Sequence, residues 1–312
     1  MGAFLAASLG ALALSIDLGR AYTVKGELQR AADAAALAGA LRLLTPPQGL
    51  SGLQAITPDC SRAQNVITTI TPHNRIDAGT ADALTLHFGT WDMGSGTFTP
   101  TGCANPGAIT AVEAWAHKNF LWHFGGILTG NPAMTLTARA VAYIGPVGAM
   151  PTGTFPLAID QSAVPAAGRQ VVIRLNPSPG DNGCWHTFDD QSPGSRDLRG
   201  LVNGSTPAPP LKVGDFIRVK EGVSTSVLKE LGNQLAARGG TWEVVFPVIP
   251  DGSHTGWKEV LGFAPIRLTL VDSHGGDKRV EGITLIHYAT PLGEPGGPVN
   301  YGLWAASPRL VR

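Results

Sequence analysis

IDLGRAYTVKGELQRAADAAALAGA, residues 16–40, runs without a proline and is dominated by Ala, Leu, Glu, Gln, Arg and Lys, the residues that fit a helix most readily. The helical pattern continues from Asp17 to about Leu44 and is ended by Pro46 and Pro47, because proline lacks an N–H and clashes with the turn before it. Upstream, residues 2–16 (GAFLAASLGALALSI) form an uncharged apolar run. Together they predict one helix of about forty residues, near 60 Å long. The chain is therefore expected to be built on a rod that is greasy at its start and rich in alanine further on.

The apolar run admits three readings. Fifteen residues rise only about 23 Å, short of the roughly 30 Å hydrocarbon core of a bilayer. The first positive charges, Arg20, Lys25 and Arg30, come after the run, the reverse of what a cytoplasmic amino terminus ahead of an exported body requires. A membrane anchor therefore implies that basic and apolar residues upstream are missing from this sequence. A cleaved signal has an A-x-A at Ala11–Ala13 but lacks a charged leading region. A buried core helix is the third reading.

Composition narrows the function classes. At 312 residues the chain is long enough for two lobes besides the helix. Charged residues make up 15%, hydrophobic ones 43%, and 40 Gly with 24 Pro imply many turns, as in a β-rich, secreted-type protein. Net charge is zero and Lys and Arg never cluster, so nothing marks a nucleic-acid partner. Cys60, Cys103 and Cys184 match neither a zinc knuckle nor a CxxC pair. Outside the cytoplasm Cys60 and Cys103 are the best candidates for a disulfide, leaving Cys184 free; three unpaired thiols is the alternative. Closing that loop would contribute about 4 kcal/mol.

Beyond the proline break, residues 61–71 suit a short helix, and LTLHFGTW (84–91), ITAVEAWAH (109–117) and MTLTARAVAYI (134–144) alternate like half-buried strands, with a hairpin tip at Gly94 and Gly96. An antiparallel sheet against a helix follows, an α+β lobe over residues 45–148. GPVGAMPTG, residues 145–153, reads as a linker. The second lobe, residues 149–312, is expected to be β-dominated. Its candidate strands are 155–160, 170–175, 215–220, 241–249, 264–272 and 279–288, with one amphipathic helix at 227–238.

No reaction suggests itself. There is no G-x-S-x-G, G-x-G-x-x-G or P-loop pattern; Gly94-Ser95-Gly96 and Gly252-Ser253-His254 lack the spacing of a nucleophile elbow. The eight histidines are scattered, and His117 and His123 share no obvious face. Asp189, Asp190 and Asp197 with Ser192 and Ser195 depart from a D-x-S-x-S metal motif and read as a polar turn. Trp115, Phe120, Trp122 and Phe124 form the densest apolar group, read as core or as a docking patch. Neither a cofactor nor a small-molecule substrate is implied.

The residues 16–40 resemble the amino-terminal signature of the TadE/TadG-like proteins of the Tad (tight adherence, Flp) pilus assembly system. In that family an apolar helix leads into D-x-G-R and then L-Q-x-A-A-D-A-A-A-L-A-G-A. Here these positions are Asp17, Gly19, Arg20, Leu28, Gln29, Ala31, Ala32, Asp33, Leu37, Gly39 and Ala40, with the alanines between. The FG-x-W-D strand and the Ala-rich strand after it are similar to the family as well, as are VGDFIRVKEG, VVFPVIP and VLGFAPIRL in the second lobe. The resemblance implies a pilin-like lobe and a membrane-anchored, extracytoplasmic accessory subunit of a pilus or secretion apparatus, non-enzymatic, partnered by other pilus or secretion subunits and by the membrane. Small residues of the helix would pack against pilin helices, and Asp33 would pair with a partner's cation or face solvent. The body would lie in the periplasm or outside the cell. A minor pilin within the filament, or a secreted adhesin-like module with a removed signal, are the other functions this sequence suggests.

Overall fold

The structure is a computed structural model that describes residues 2–45, 53–165, 168–175, 180–188, 194–222, 224–274, 278–285 and 287–311. It has an amino-terminal helix followed by β-rich structure, an α+β layout in two compact units. One unit is 1–44, 58–143 and 308–312; the other is 45–57 and 144–307.

In the first unit the helix Gly2–Leu44 lies on a five-stranded antiparallel sheet in the order Arg309–Val311, Ala133–Tyr143, Ala111–Leu121, Ala83–Asp92, Thr97–Pro100. The helix buries Asp17, Ala21, Val24, Leu28, Ala31, Ala32, Ala35, Ala36, Ala40 and Leu43, a stripe recurring every three or four residues. It crosses the two long strands where Ala114, Ala116, Ala138, Ala140 and Ala142 are also buried. Alanine meets alanine, so the helix axis lies close to the sheet. Gly39 brings it closer still: a Cβ there would stand 2.8 Å from Leu86 Cδ1 and 3.2 Å from Val112 Cγ1. The small residues expected to face pilin helices are thus consumed by the chain's own sheet.

The helix foreseen at 61–71 is broken into Cys60–Gln64 and Val66–Ile70, the first capped by Asp59 Oδ1, which accepts from Arg62 N at 3.0 Å. Cys60 is disulfide-bonded to Cys103, with Cα atoms 6.3 Å apart. The tip between Ala83–Asp92 and Thr97–Pro100 is closed by Asp92 Oδ1, which accepts from the N–H groups of Gly94 and Ser95.

The second unit is organised on an eight-stranded sheet in the order Gly256–Glu259, Phe216–Lys220, Gly183–His186, Leu157–Asp160, Trp242–Ile249, Gly262–Asp272, Arg279–Thr284, Gln170–Arg174. Only the pairing of Leu157–Asp160 with Trp242–Ile249 is parallel. Both faces are covered, which is why VVFPVI reads as a continuous apolar run. Val244, Phe246 and Val248 pack with Leu198, Val202, Leu228, Leu231 and Leu235 of the helices Ser195–Asn203 and Thr225–Ala237. Val245 and Ile249 pack on the opposite face with Met150, Leu211, Tyr288 and Leu303. These last residues belong to two small sheets, Leu211–Lys212 / Val147–Met150 / Glu294–Pro295 and Gln54–Ala55 / Tyr288–Thr290 / Leu303–Ala305.

Two expectations are corrected. The segment 145–153 is not a linker: Val147–Met150 is the central strand of one small sheet. Gly148 serves close approach rather than flexibility, since a Cβ there would lie 2.6 Å from the backbone of Gly296. The strand foreseen at 279–288 stops at Thr284, and Tyr288–Thr290 joins the other small sheet. Between them His287 takes a φ of 50°, which turns the chain away.

Candidate functional site

The signature residues Asp17 and Arg20 sit at a joint in the first unit. None of the described side chains ahead of Asp17 is buried, and Leu12, Leu14 and Ile16 are exposed. Burial begins abruptly at Asp17, which is 0% exposed. Its carboxylate accepts three backbone N–H groups: His123 at 3.0 Å, Phe124 at 2.8 Å and Gly125 at 2.6 Å. Burial by itself would raise the Asp17 carboxyl, but the N–H groups of Gly125, Phe124 and His123 prevail and hold it below the ordinary carboxylate range. The first turn of Gly125–Thr129 thus receives its anion from another element.

One turn further along, Arg20 closes the same joint. Its guanidinium forks onto Asp77, with Nε at 3.2 Å from Oδ1 and Nη2 at 2.5 Å from Oδ2. Nη1 donates to the Leu121 carbonyl at 2.8 Å, and the guanidinium carbon lies 4.7 Å from the Phe120 ring centroid. Asp77 and Ala78 have φ of 50° and 62°, a left-handed turn that L-residues adopt at some cost. Glu27 Oε2 accepts the Asp77 N–H at 2.8 Å, so two helix residues hold that turn. The helix is fastened further by Lys25 Nζ, which donates to the Thr137 carbonyl, and by Gln29 Nε2, which donates to the Arg139 carbonyl at 2.9 Å and to Asp33 Oδ1 at 2.8 Å.

The remaining signature residues divide by face. Leu28 and Ala32 are fully buried, Leu37 and Asp33 half-buried, and Gly39 is pressed on the sheet. Gly19 and Gly26 face open space, where an added Cβ would meet nothing within 4 Å, and Tyr22 beside them is 73% exposed. The helix therefore has a committed face and a free one. Asp17 is not free for a partner; the free face carries Leu18, Gly19, Tyr22, Gly26 and Arg30.

The aromatic group is no single patch. Phe120 is buried under Arg20 with Trp122 edge-on at 5.2 Å, while Trp115 lies on the opposite sheet face, stacked with His117 at 6.1 Å. His123 Nε2 lies 3.1 Å from Arg20 Nη1, whereas His117 stacks on Trp115.

In the second unit a buried pair went unforeseen: His254 Nε2 lies 2.8 Å from Asp160 Oδ1, and the bond raises the His254 pKa. Ser253 Oγ is bonded to Thr255 instead of the imidazole. Cys184 is buried and unoxidised, its thiol pushed up by burial. Among the described residues no group of three or more His, Cys, Asp and Glu is placed to hold a metal ion. Asp189, Asp190 and Ser192 lie outside the described residues, and Asp197 sits in the first turn of Ser195–Asn203.

Among the described residues no helix is long and apolar enough to cross a membrane. Residues 1–42 match the family model described as "Putative Flp pilus-assembly TadE/G-like". The match ends within the helix and connects the chain with a Tad/Flp pilus system. Neither the curated proteins nor the solved structures contain a match to the chain.

Proposed function

We propose that the chain is a membrane-anchored, extracytoplasmic accessory subunit of a Tad/Flp pilus assembly or secretion apparatus, working through protein–protein contacts and not through a reaction. Its first unit is a pilin-like lobe. The observation that carries this reading is the division of one helix at Asp17: exposed leucines and isoleucine before it, a packed alanine face after it. Exposed apolar side chains in a row cost solvation free energy unless lipid or protein covers them. The Asp17 and Arg20 bonds support a fixed exit point, so that the apolar segment leaves the unit in one direction as a tether. The free face bearing Gly19, Tyr22 and Gly26 continues along the same helix and suits a second helix lying alongside.

The test is made in cells carrying the full protein. A photo-crosslinker at Tyr22 should capture another pilus subunit, and one at the buried Leu28 should capture nothing. The protein should fractionate with membranes, and deletion of residues 2–16 should release it. Recovery of the intact chain in the soluble cytosolic fraction, with no capture from Tyr22, overturns the proposal.

A further inference from the structure

The strands Ala111–Leu121 and Ala133–Tyr143 are joined by a tip that lies where the helix leaves the first unit. Its backbone at His123, Phe124 and Gly125 is bonded to the Asp17 carboxylate, and the Leu121 carbonyl accepts from Arg20. The tip turns apolar side chains outward: Leu121 is 60% exposed, Phe124 43%, Ile127 86% and Met134 37%. Outside the helix, the only other large apolar side chains so exposed among the described residues of this unit are Met93 and Leu310. No Asp, Glu, Lys or Arg occurs from Asn119 to Ala138. Exposed apolar side chains gathered at one place mark contact with lipid or with protein.

Position favours lipid. Ile16, 50% exposed, directly precedes Asp17, and Leu14 is 47% exposed. Because a helix rises only about 1.5 Å per residue, a surface that takes up Leu14 and Ile16 arrives level with the backbone bonded to Asp17. A bilayer reached through the helix therefore meets the tip as well. A second helix alongside the free face does not, since Gly19, Tyr22 and Gly26 lie on the opposite side of the helix from Asp17.

We infer that the tip, residues 121–134, seats on the bilayer surface beside the helix, with Leu121, Phe124, Ile127 and Met134 entering the boundary between head groups and acyl chains. This seating requires the tether proposed above, which brings the first unit to the membrane. Its driving force is the transfer of apolar surface out of water, as for a helix lying in the interface. Trp122, half-buried with its ring edge-on to Phe120, belongs to the same tip, and indoles suit the membrane–water boundary. Anionic lipid is not required. The cations that flank the tip, Arg20 and Lys118, are paired with Asp77 at 2.5 Å and with Asp82 at 3.0 Å, which leaves little net charge to attract anionic head groups.

The test uses the full chain in phosphatidylcholine vesicles that contain a lipid with a photoactivatable diazirine on its acyl chain, and the labelled peptides are read by mass spectrometry. Lipid should attach within 121–134 as well as within 2–16. It should not attach to the hairpin around Met93, which is 48% exposed but sits at the far end of the same sheet. Replacing part of the phosphatidylcholine by phosphatidylglycerol should change labelling of the tip by less than about twofold. Ile127→Glu, at a side chain too exposed to be needed for folding, should lower labelling of the tip roughly tenfold and leave that of 2–16 unchanged. Label on 2–16 with none on the tip overturns the seating and leaves the tether standing, whereas label on neither overturns both. Capture of a neighbouring subunit instead of lipid by a photo-crosslinker at Ile127 in cells assigns the tip to a protein partner and likewise overturns the seating.

Discussion

Gly26 and Gly39 lie on one helix and should answer the same substitution differently. At Gly26 an added Cβ meets nothing within 4 Å, so Gly26→Ala should bring the full helix-propensity gain of about 1 kcal/mol. At Gly39 the Cβ falls 2.8 Å from Leu86 Cδ1 and 3.2 Å from Val112 Cγ1. Leu86 can swing its methyl away, but Val112 is β-branched, buried and stiff in a strand paired on both sides. Crowding there offsets the propensity gain, and Gly39→Ala should come out near neutral. Gly39→Leu adds three more carbons to the same gap and should cost roughly 2–3 kcal/mol, within the range for overpacking. The assay is hydrogen exchange of the helix amides in the full chain held in detergent micelles, with denaturant midpoints as a check. Protection over residues 31–44 should fall in Gly39→Leu and rise in Gly26→Ala. Unchanged protection in Gly39→Leu would mean that the alanine face does not rest on the sheet, and the assignment of committed and free faces would fail with it.

Arg20→Lys should lower stability by roughly 1–2 kcal/mol, because an ammonium cannot reproduce the fork onto Asp77; equal denaturant midpoints for the two proteins would refute this. Asp17 has a native pKa below its unfolded value, so its contribution is present above about pH 4 and is lost as pH falls through the lowered native value. Proteolysis near residues 123–125 should accordingly rise on acidification in the wild type, with Asp17→Asn already susceptible at neutral pH. His254 is shifted the other way: its contribution is complete below about pH 6.5 and fades as pH rises through the raised native value. The second unit should therefore melt lower in mild alkali, a trend His254→Gln should flatten. Reducing Cys60–Cys103, which closes a separation of 43 residues, should cost about 4 kcal/mol, read as a lower melting temperature with thiol reductant; no change would place the bond outside the cooperative unit.

Much of this fold was legible because its signals are local. The helix shows in an unbroken run of helix formers, and the long strands show in alternation, as at LTLHFGTW and ITAVEAWAH. What stayed hidden depends on partners remote in sequence. Val147–Met150 is short, contains a glycine and is flanked by prolines, and it becomes a strand only because Leu211–Lys212 and Glu294–Pro295 arrive on either side. The helix Ser195–Asn203 has few apolar residues, and burying only Leu198 and Val202 is enough to seat it. At the joint, D-x-G-R could be recognised, but the bonds of Asp17 go to backbone N–H groups 106 to 108 residues away. Backbone donors leave no mark in side-chain identity. Two segments carry glycine where the joint turns: Gly125-Gly126 after a run of aromatics, and Asp77-Ala78-Gly79.

The alanine-rich stretch shows how one composition can serve two purposes. Small residues on a helix permit close approach to any neighbour, whether a second helix or a sheet, so AADAAALAGA does not by itself say which. The strands decide: Ala114, Ala116, Ala138, Ala140 and Ala142 form a shallow bed that larger residues could not offer, and the helical alanines lie in it. That docking consumes the small-residue surface over residues 31–40. Any partner helix must then approach from the other side, where Gly19 and Gly26 are open and Tyr22 protrudes. Because Asp17 is fully occupied by its own unit and Lys25 is bonded to the Thr137 carbonyl, the polar component of such an approach falls to Arg30, and a complementary partner should present a carboxylate at that level.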